Sequence, residues 1–105
     1  MKRVSFQFKV RRDKLAEYKE RHKNVWPEML DALRETGWHN YTLFTRDDGL
    51  IFGYFETEES LSVARAKMMA KDINTRWQEF MSLFIDANAR PDETFLELEE
   101  YFHLD

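Results

Sequence analysis

The chain opens with an alternation of apolar and polar residues. Val4, Phe6, Phe8 and Val10 are separated by three polar side chains. A period of two residues is typical of a β-strand with one buried face. Residues 4–10 are therefore predicted to form a strand whose apolar face is buried.

A helical period follows this strand. Asp13 is suited to cap a helix. Leu15, Tyr18 and His22 then recur at helical spacing and fall on one stripe. The pattern predicts a helix that turns these three side chains to the same side.

A proline divides the helical region into two pieces. Pro27 is favoured at the first position of a helix, and it discourages helical geometry in Trp26. The second piece is predicted to span residues 27–36, because Gly37 is a natural C-terminal stop. The residues of this piece that we expect to face inward are Met29, Leu30 and Leu33.

Two strands joined by a tight turn are predicted next. Alternation places them at residues 38–45 and 50–56, and Asp47-Asp48-Gly49 between them is a hairpin-turn signal. The first of these strands is expected to carry His39, Tyr41 and Leu43 on one face, and Asn40, Thr42 and Phe44 on the other.

The second half of the chain contains another helical region and ends in a strand. Amphipathic helices are predicted at residues 58–70 and 72–84, a polar loop at 86–94 and a last strand at 95–104. The apolar stripe of the second helix is Ile73, Trp77, Phe80, Met81 and Phe84. The last strand is expected to place Leu96, Leu98, Phe102 and Leu104 on one face.

The predicted order β-α-β-β-α-β gives an α+β domain of the ferredoxin-like type. No linker, repeat or low-complexity segment interrupts residues 1–105, so a single domain is expected. Four antiparallel strands with helices on one face leave the other face of the sheet needing cover. A homodimer that pairs two sheets face to face would provide that cover.

Composition narrows the classes of function. Sixteen Lys and Arg against 20 Asp and Glu give a net charge of −4, which argues against a general nucleic-acid binder. The chain has no cysteine, so disulfides, thiolate nucleophiles and cysteine-ligated zinc are excluded. No apolar stretch is long enough to span a membrane, and no signal peptide is evident. We therefore expect a cytoplasmic protein that does not contact a membrane.

His22 is the main candidate for chemistry. An imidazole exchanges protons near neutral pH, which suits acid–base catalysis. The alternative is a purely structural histidine, because the helix dipole stabilises an imidazole at a helix end. Tyr18 lies one turn earlier on the same stripe, where it would either contact a ligand beside the imidazole or belong to the core.

The other candidate residues carry weaker signals. His39 and Tyr41 would either line a pocket or fill the core, and His103 is expected at the surface. The three histidines lie on separate elements and lack the close spacing of known metal sites. Neither a glycine-rich phosphate loop nor a serine nucleophile elbow is present. The remaining histidine, tyrosines and tryptophans suit either proton transfer on a small polar molecule or binding alone.

With these residues in place, the chain resembles the L-rhamnose mutarotase family. The resemblance covers the whole chain and depends most on the spacing from Tyr18 through His22 and Trp26-Pro27-Glu28 to Tyr41. It is also carried by Arg21, Val25, Gly37, His39-Asn40, Arg76-Trp77, Phe80-Met81 and the ending Leu98-Glu99-Glu100-Tyr101-Phe102-His103-Leu104.

The resemblance implies a dimeric α/β barrel that interconverts the α and β anomers of L-rhamnose or a related 6-deoxy-hexose. It implies that His22 is the proton donor in ring opening and that Tyr18 and Tyr41 contact the sugar, with no cofactor and no metal. Trp77 matches the first of two tryptophans that flank the sugar in the family. Gln78 stands where the second would be, which leaves the preferred sugar open.

Two other interpretations of the residues remain. One is a different dimeric α/β-barrel protein, such as a cofactor-free or haem-linked oxygenase, because one fold hosts many activities. The other is a non-catalytic sugar-binding module in which His22 only caps a helix. Anomer exchange by the purified protein separates the mutarotase interpretation from both.

Overall fold

Four strands and four α-helices make up the residues that the computed structural model describes, which are 1–85 and 90–105. The strands are β1 (Lys2–Lys9), β2 (His39–Thr45), β3 (Leu50–Thr57) and β4 (Leu96–Leu98). The helices are α1 (Leu15–His22), α2 (Pro27–Glu35), α3 (Leu61–Met69) and α4 (Asp72–Met81). Three short 3-10 turns are Arg12–Lys14, Ser82–Phe84 and Pro91–Thr94. Within these ranges every helix is too short to cross a lipid bilayer.

The strands form one antiparallel sheet in the order β2-β3-β1-β4. β1 pairs with β3 along its whole length, from Lys2 opposite Thr57 to Lys9 opposite Leu50. A split βαβ arrangement produces this strand order, since the first and third strands lie side by side at the centre. The predicted ferredoxin-like α+β fold is therefore confirmed.

The core lies between the helices and one face of the sheet. Val4, Phe6 and Phe8 of β1 are buried there, as the alternation predicts. The fully buried Phe6 ring lies directly over Gly53 of β3, where an added Cβ atom would overlap with the ring. A glycine at this position therefore lets the central strands carry a large aromatic side chain at close range.

The second helical piece ends close to the predicted boundary. Pro27 occupies the first turn of α2, and Gly37 follows Thr36 with φ of 90°, a conformation that favours glycine. Met29 is buried as predicted. Leu30 is exposed, in contrast to its predicted inward position, because it lies at the border of an open cavity.

The starts of two helices differ from the prediction. Asp13 does not cap α1, because it lies within the 3-10 turn that runs directly into the helix. Its carboxylate pairs with Arg11 at 3.3 Å. The predicted helix at 58–70 begins only after Ser60. The Ser60 hydroxyl accepts a hydrogen bond from the Val63 main-chain N–H at 3.2 Å, which satisfies one of the free donors at the start of α3.

A bulge in β2 changes which residues face the core. Pairing with β3 is irregular between His39 and Thr42, and Asn40 has φ of 52°. The extra residue brings Trp38 and Tyr41 together, with ring centroids 5.1 Å apart, while His39 borders a separate, smaller pocket. The predicted common face of His39 and Tyr41 is therefore wrong.

The last strand is shorter than predicted. Only Leu96–Leu98 pairs with β1, and beyond it the Arg3–Glu100 ion pair at 2.9 Å joins the chain to β1 in place of strand pairing. The predicted strand residues Phe102 and Leu104 are exposed. Phe95, immediately before β4, stacks on the buried Phe6 with ring centroids 4.2 Å apart.

Candidate active site

A cavity of about 430 Å³ lies between the sheet and the helices. This volume is within the usual range for small-molecule pockets. The walls include Ile51 of the sheet and Met29 and Met68 of the helices. The five residues predicted for the site all border this cavity, namely Tyr18, His22, Tyr41, Trp77 and Gln78.

The position of His22 follows from the break between the first two helices. His22 is the last residue of α1, and Trp26 has an extended backbone (φ −56°, ψ 133°) because Pro27 follows it. The Nδ1 atom of His22 lies 3.0 Å from the main-chain carbonyl oxygen of Tyr18. A carbonyl oxygen only accepts, so Nδ1 carries the hydrogen and Nε2 is the nitrogen that remains to exchange a proton.

The His22 imidazole lies between two aromatic side chains. The centroid of the Tyr18 ring is 4.5 Å away, and that of Trp77 is 5.9 Å away at 89° to the imidazole plane. Burial lowers the pKa of His22 from its ordinary value of 6.5, and the hydrogen bond to Tyr18 opposes this shift. The imidazole is therefore mainly neutral at neutral pH.

Tyr18 and Tyr41 bring two phenol hydroxyls to the cavity from opposite layers. Tyr18 comes from α1 and Tyr41 from the bulged strand β2. Among the described residues, neither hydroxyl has a hydrogen-bond partner. Burial raises the pKa of both phenols, so both stay protonated at neutral pH. Each hydroxyl is thus able to donate to, or accept from, a bound ligand.

Trp77 is supported by an aromatic cluster that the sequence did not place at the site. The Trp26 ring meets it nearly at a right angle (85°) with centroids 5.0 Å apart, and Phe80 packs at 5.6 Å. Phe80 is exposed although it belongs to the predicted apolar stripe of α4, and the Arg21 guanidinium covers its ring at 4.1 Å. These contacts hold the indole of Trp77 against the cavity.

Gln78 belongs to a buried polar network that the sequence analysis missed. It hydrogen-bonds Asn74, one helical turn earlier, and the main chain of Asp92. Asp92 lies in the region predicted as a polar loop. Residues 86–89 of that loop are outside the described residues. Further along it, Pro91 and Asp92 are buried. Asn74 and Gln78 are two polar residues at helical spacing among the apolar stripe of α4. This pattern was the signal in the sequence from which a buried polar network could have been predicted.

The remaining histidines lie away from the cavity. His39 borders the smaller pocket, and His103 pairs with Asp105 at 2.9 Å in the exposed C-terminal segment. In the part of the chain that the structure describes, no three His, Cys, Asp or Glu side chains are grouped in a way that would hold a metal ion.

Comparison with known sequences identifies the family. A family profile described as L-rhamnose mutarotase matches residues 3–104. The chain belongs to the L-rhamnose mutarotase family. The family predicted from the sequence is thereby confirmed, and with it the predicted class of enzyme, an isomerase.

Individual relatives agree with this assignment. The L-rhamnose mutarotases of Oceanobacillus iheyensis and Bacillus subtilis are 37% and 35% identical to the chain over 106 residues, and each match covers all of both chains. A crystal structure of L-rhamnose mutarotase from Formosa agariphila has a TM-score of 0.81 and 26% identity, again over all of both chains. Membership of the L-rhamnose mutarotase family argues against the oxygenase interpretation.

Proposed function

We propose that this protein is an L-rhamnose mutarotase in which His22 performs the acid–base chemistry. The observation that carries the proposal is an imidazole of fixed tautomer that shares one cavity with two phenol hydroxyls, in a chain of this family. Neither hydroxyl is paired with any of the residues that the structure describes. The reaction interconverts the α and β anomers of the sugar, and it requires proton transfer at two oxygens bonded to the anomeric carbon.

His22 is able to serve both proton transfers at Nε2. The neutral imidazole accepts the proton of the anomeric hydroxyl, and the imidazolium then donates it to the ring oxygen as the bond between that oxygen and the anomeric carbon breaks. The open aldehyde rotates about its bond to the next carbon. The same steps in reverse close the ring on the other face, so no atom or electron is gained or lost.

The environment of His22 favours this cycle. Burial disfavours the imidazolium, which makes the protonated ring a stronger acid when it returns the proton. The bond from Nδ1 to the Tyr18 carbonyl keeps the ring in one orientation throughout. General acid–base catalysis of this kind typically contributes about 10²–10⁴-fold to a rate.

The sugar contacts are divided between polar and apolar walls. We assign hydrogen bonds to the sugar hydroxyls to Tyr18 and Tyr41, and packing against its C–H face to the Trp77 indole. Gln78 borders the same space with its amide already engaged by protein atoms. An apolar wall that includes Met29 and Leu33 suits the methyl group of a 6-deoxy sugar.

We also propose that two copies associate through the uncovered face of the sheet. Phe44, Phe52 and Leu96 lie in one row across the sheet, with Gln7 of β1 between the last two. The three apolar side chains are exposed, and such patches mark interaction surfaces. A second copy carries the same row and would cover it symmetrically.

Saturation-transfer NMR on the anomeric protons of L-rhamnose tests the catalytic proposal. The purified protein should accelerate exchange between the α and β signals well above the rate in buffer. His22→Ala should lose about 10²-fold or more of that acceleration. His39→Ala, which removes an imidazole outside the cavity, is the matched control and should retain it.

Two results would contradict the proposal. Unchanged anomer exchange with L-rhamnose and related 6-deoxy sugars would exclude mutarotase activity, and saturable sugar binding without exchange would favour a binding module. Full activity of a folded His22→Ala variant would remove His22 from the reaction.

A further inference from the structure

One side of the cavity is polar, because Asn74 and Gln78 of α4 and Asp92 border it. We call these three residues, together with Arg90 that pairs with Asp92, the polar wall. All but Arg90 are buried, and the Asp92 side chain is only 7% exposed. Arg90, which pairs with it, is partly exposed. A buried carboxylate is costly unless several partners hold it.

The hydrogen bonds of the polar wall have one possible direction. The Asp92 main-chain N–H can only donate, and it lies 3.1 Å from Gln78 Oε1. The Gln78 amide nitrogen must then donate to Asn74 Oδ1, 3.0 Å away. Asn74 Nδ2 in turn donates to Asp92 Oδ2, also at 3.0 Å. Both side-chain amides are therefore held in a single orientation.

The Asp92 carboxylate accepts three hydrogen bonds and retains room for a fourth. Oδ2 accepts from Asn74 and from Arg90 Nη2, and Oδ1 accepts from Arg90 Nε; both Arg90 distances are 3.2 Å. An ionised carboxylate has about four acceptor positions. With respect to residues 1–85 and 90–105, Oδ1 therefore keeps one position for a further donor.

Asp92 lies close enough to Tyr41 to affect its pKa electrostatically. It borders the cavity together with Tyr18 and Tyr41. Burial raises the pKa of Tyr41, and the charges of Tyr18 and Asp92 raise it further. A donor bound between these residues would therefore meet a negative charge on the side of the polar wall.

We propose that Asp92 is a substrate-binding residue whose Oδ1 atom accepts a hydrogen bond from a sugar hydroxyl, while the rest of the polar wall positions the carboxylate. This inference rests on the proposed mutarotase function of the same cavity. A charged acceptor discriminates strongly against an analogue that lacks the hydroxyl, because the analogue leaves the carboxylate unpaired. The polar wall thus determines which sugars the site accepts.

The test changes the enzyme and the sugar together. Anomer exchange is measured for the wild type and for Asp92→Asn on L-rhamnose and on analogues that each lack one ring hydroxyl. In the wild type, one analogue should lose about tenfold or more in kcat/KM. The same analogue should show no such loss in Asp92→Asn, because the charged acceptor is absent.

Asp31→Asn is the control, because Asp31 is an exposed aspartate of α2 paired with Arg34. It should keep the wild-type pattern across all sugars. If Asp92→Asn does not fold, Asp92→Glu replaces it, since this variant keeps the charge and displaces the acceptor by one methylene. The expected pattern is then the same.

Equal losses in the wild type and the Asp92 variant, for every analogue, would overturn the proposal, since they would mean that Asp92 acts only on the fold. The absence of any anomer exchange by the wild type on L-rhamnose is a different result. It would overturn the proposed function itself, and the role of Asp92 with it.

Discussion

The chemistry of a single residue, His22, depends on one hydrogen bond and on its burial. The Tyr18 carbonyl holds Nδ1–H, so proton exchange is confined to Nε2. Burial lowers the pKa of the ring below 6.5, so the neutral form, which accepts the first proton in the proposed reaction, predominates at neutral pH. An unburied histidine would be partly protonated near pH 6.5 and would begin the cycle in the wrong state.

The activity should therefore depend on pH in one direction. The value of kcat/KM should be constant around neutral pH and should fall as the pH drops through the lowered pKa of His22, because protonation removes the base. The measurement is the enzyme-dependent rate of anomer exchange, corrected for the rate in buffer at each pH. A midpoint above pH 6.5, or activity that rises on acidification, would contradict this assignment.

The lowered pKa of His22 also makes the stability of the fold depend on pH. The unfolded chain binds a proton at His22 near the ordinary pKa of 6.5, whereas the folded chain binds it only at lower pH. The unfolded state therefore gains protons first as the pH falls below 6.5. His22 consequently makes the fold less stable in that range and has no such effect above it.

At the scale of single elements, helix ends determine where the site residues lie. α1 ends at His22 and α2 begins at Pro27, so the imidazole is not covered by a following helical turn. α3 begins at Leu61 because the Ser60 hydroxyl caps it. Met68 near the end of α3 borders the cavity, so the start of this helix also sets the position of one cavity wall.

Removal of the Ser60 cap should lower the stability of the protein by a defined amount. Ser60→Ala leaves the Val63 N–H without its partner and should cost about 1 kcal/mol of unfolding free energy. Ser62→Ala, at an exposed position within the same helix, is the matched control and should change it by less than about 0.5 kcal/mol. Urea denaturation followed by circular dichroism measures both. Equal effects of the two substitutions would show that the cap does not stabilise α3.

At the scale of the whole molecule, the two faces of the sheet differ in what covers them. The inner face carries Phe6 and Phe8 into the core and borders the cavity through Tyr41 and Leu43. The outer face leaves Phe52 and Leu96 exposed. The proposed pairing of two copies would cover this outer face without occupying the cavity side.

Light scattering coupled to gel filtration tests this pairing. The molar mass measured for the wild type should be twice the 12.8 kDa mass of one chain. Phe52→Lys places a charge at the centre of the exposed row and should shift the protein toward the monomer mass. Met69→Lys, on α3, is a suitable control because Met69 and Phe52 are each 39% exposed. A monomeric wild type at micromolar concentration, or a Phe52→Lys variant that remains dimeric, would contradict the proposed interface.

Local signals in the sequence predicted the secondary-structure elements better than the tertiary contacts between them. Pro27, Gly37 and the alternation around Phe6 act over a few residues, so they identify the elements directly. The sequence pattern places Asp92 in a polar loop and does not predict its burial, because that burial depends on Gln78, fourteen positions earlier in the chain. Neither local propensity nor periodicity reports such a tertiary contact.

The candidate site was predicted unevenly for the same reason. Tyr18 and His22 were recognisable because both lie on one helical stripe, and Tyr41 was a weaker candidate from its strand pattern. The family resemblance added Trp77 and Gln78. Asn74 was missed because a polar residue beside the apolar stripe of an amphipathic helix does not show where its partner lies. Its contact with Asp92 is visible only in the folded chain.

The bulge at Asn40 makes the lining of the cavity depend on how β2 pairs with β3. A regular strand sends residues an even number apart to the same face, yet Trp38 and Tyr41, an odd number apart, meet at 5.1 Å. Regular pairing of the same residues, without the bulge, would place these two rings on opposite faces. The aromatic content of the cavity is thus set by the backbone irregularity in β2, as well as by which residues the strand contains.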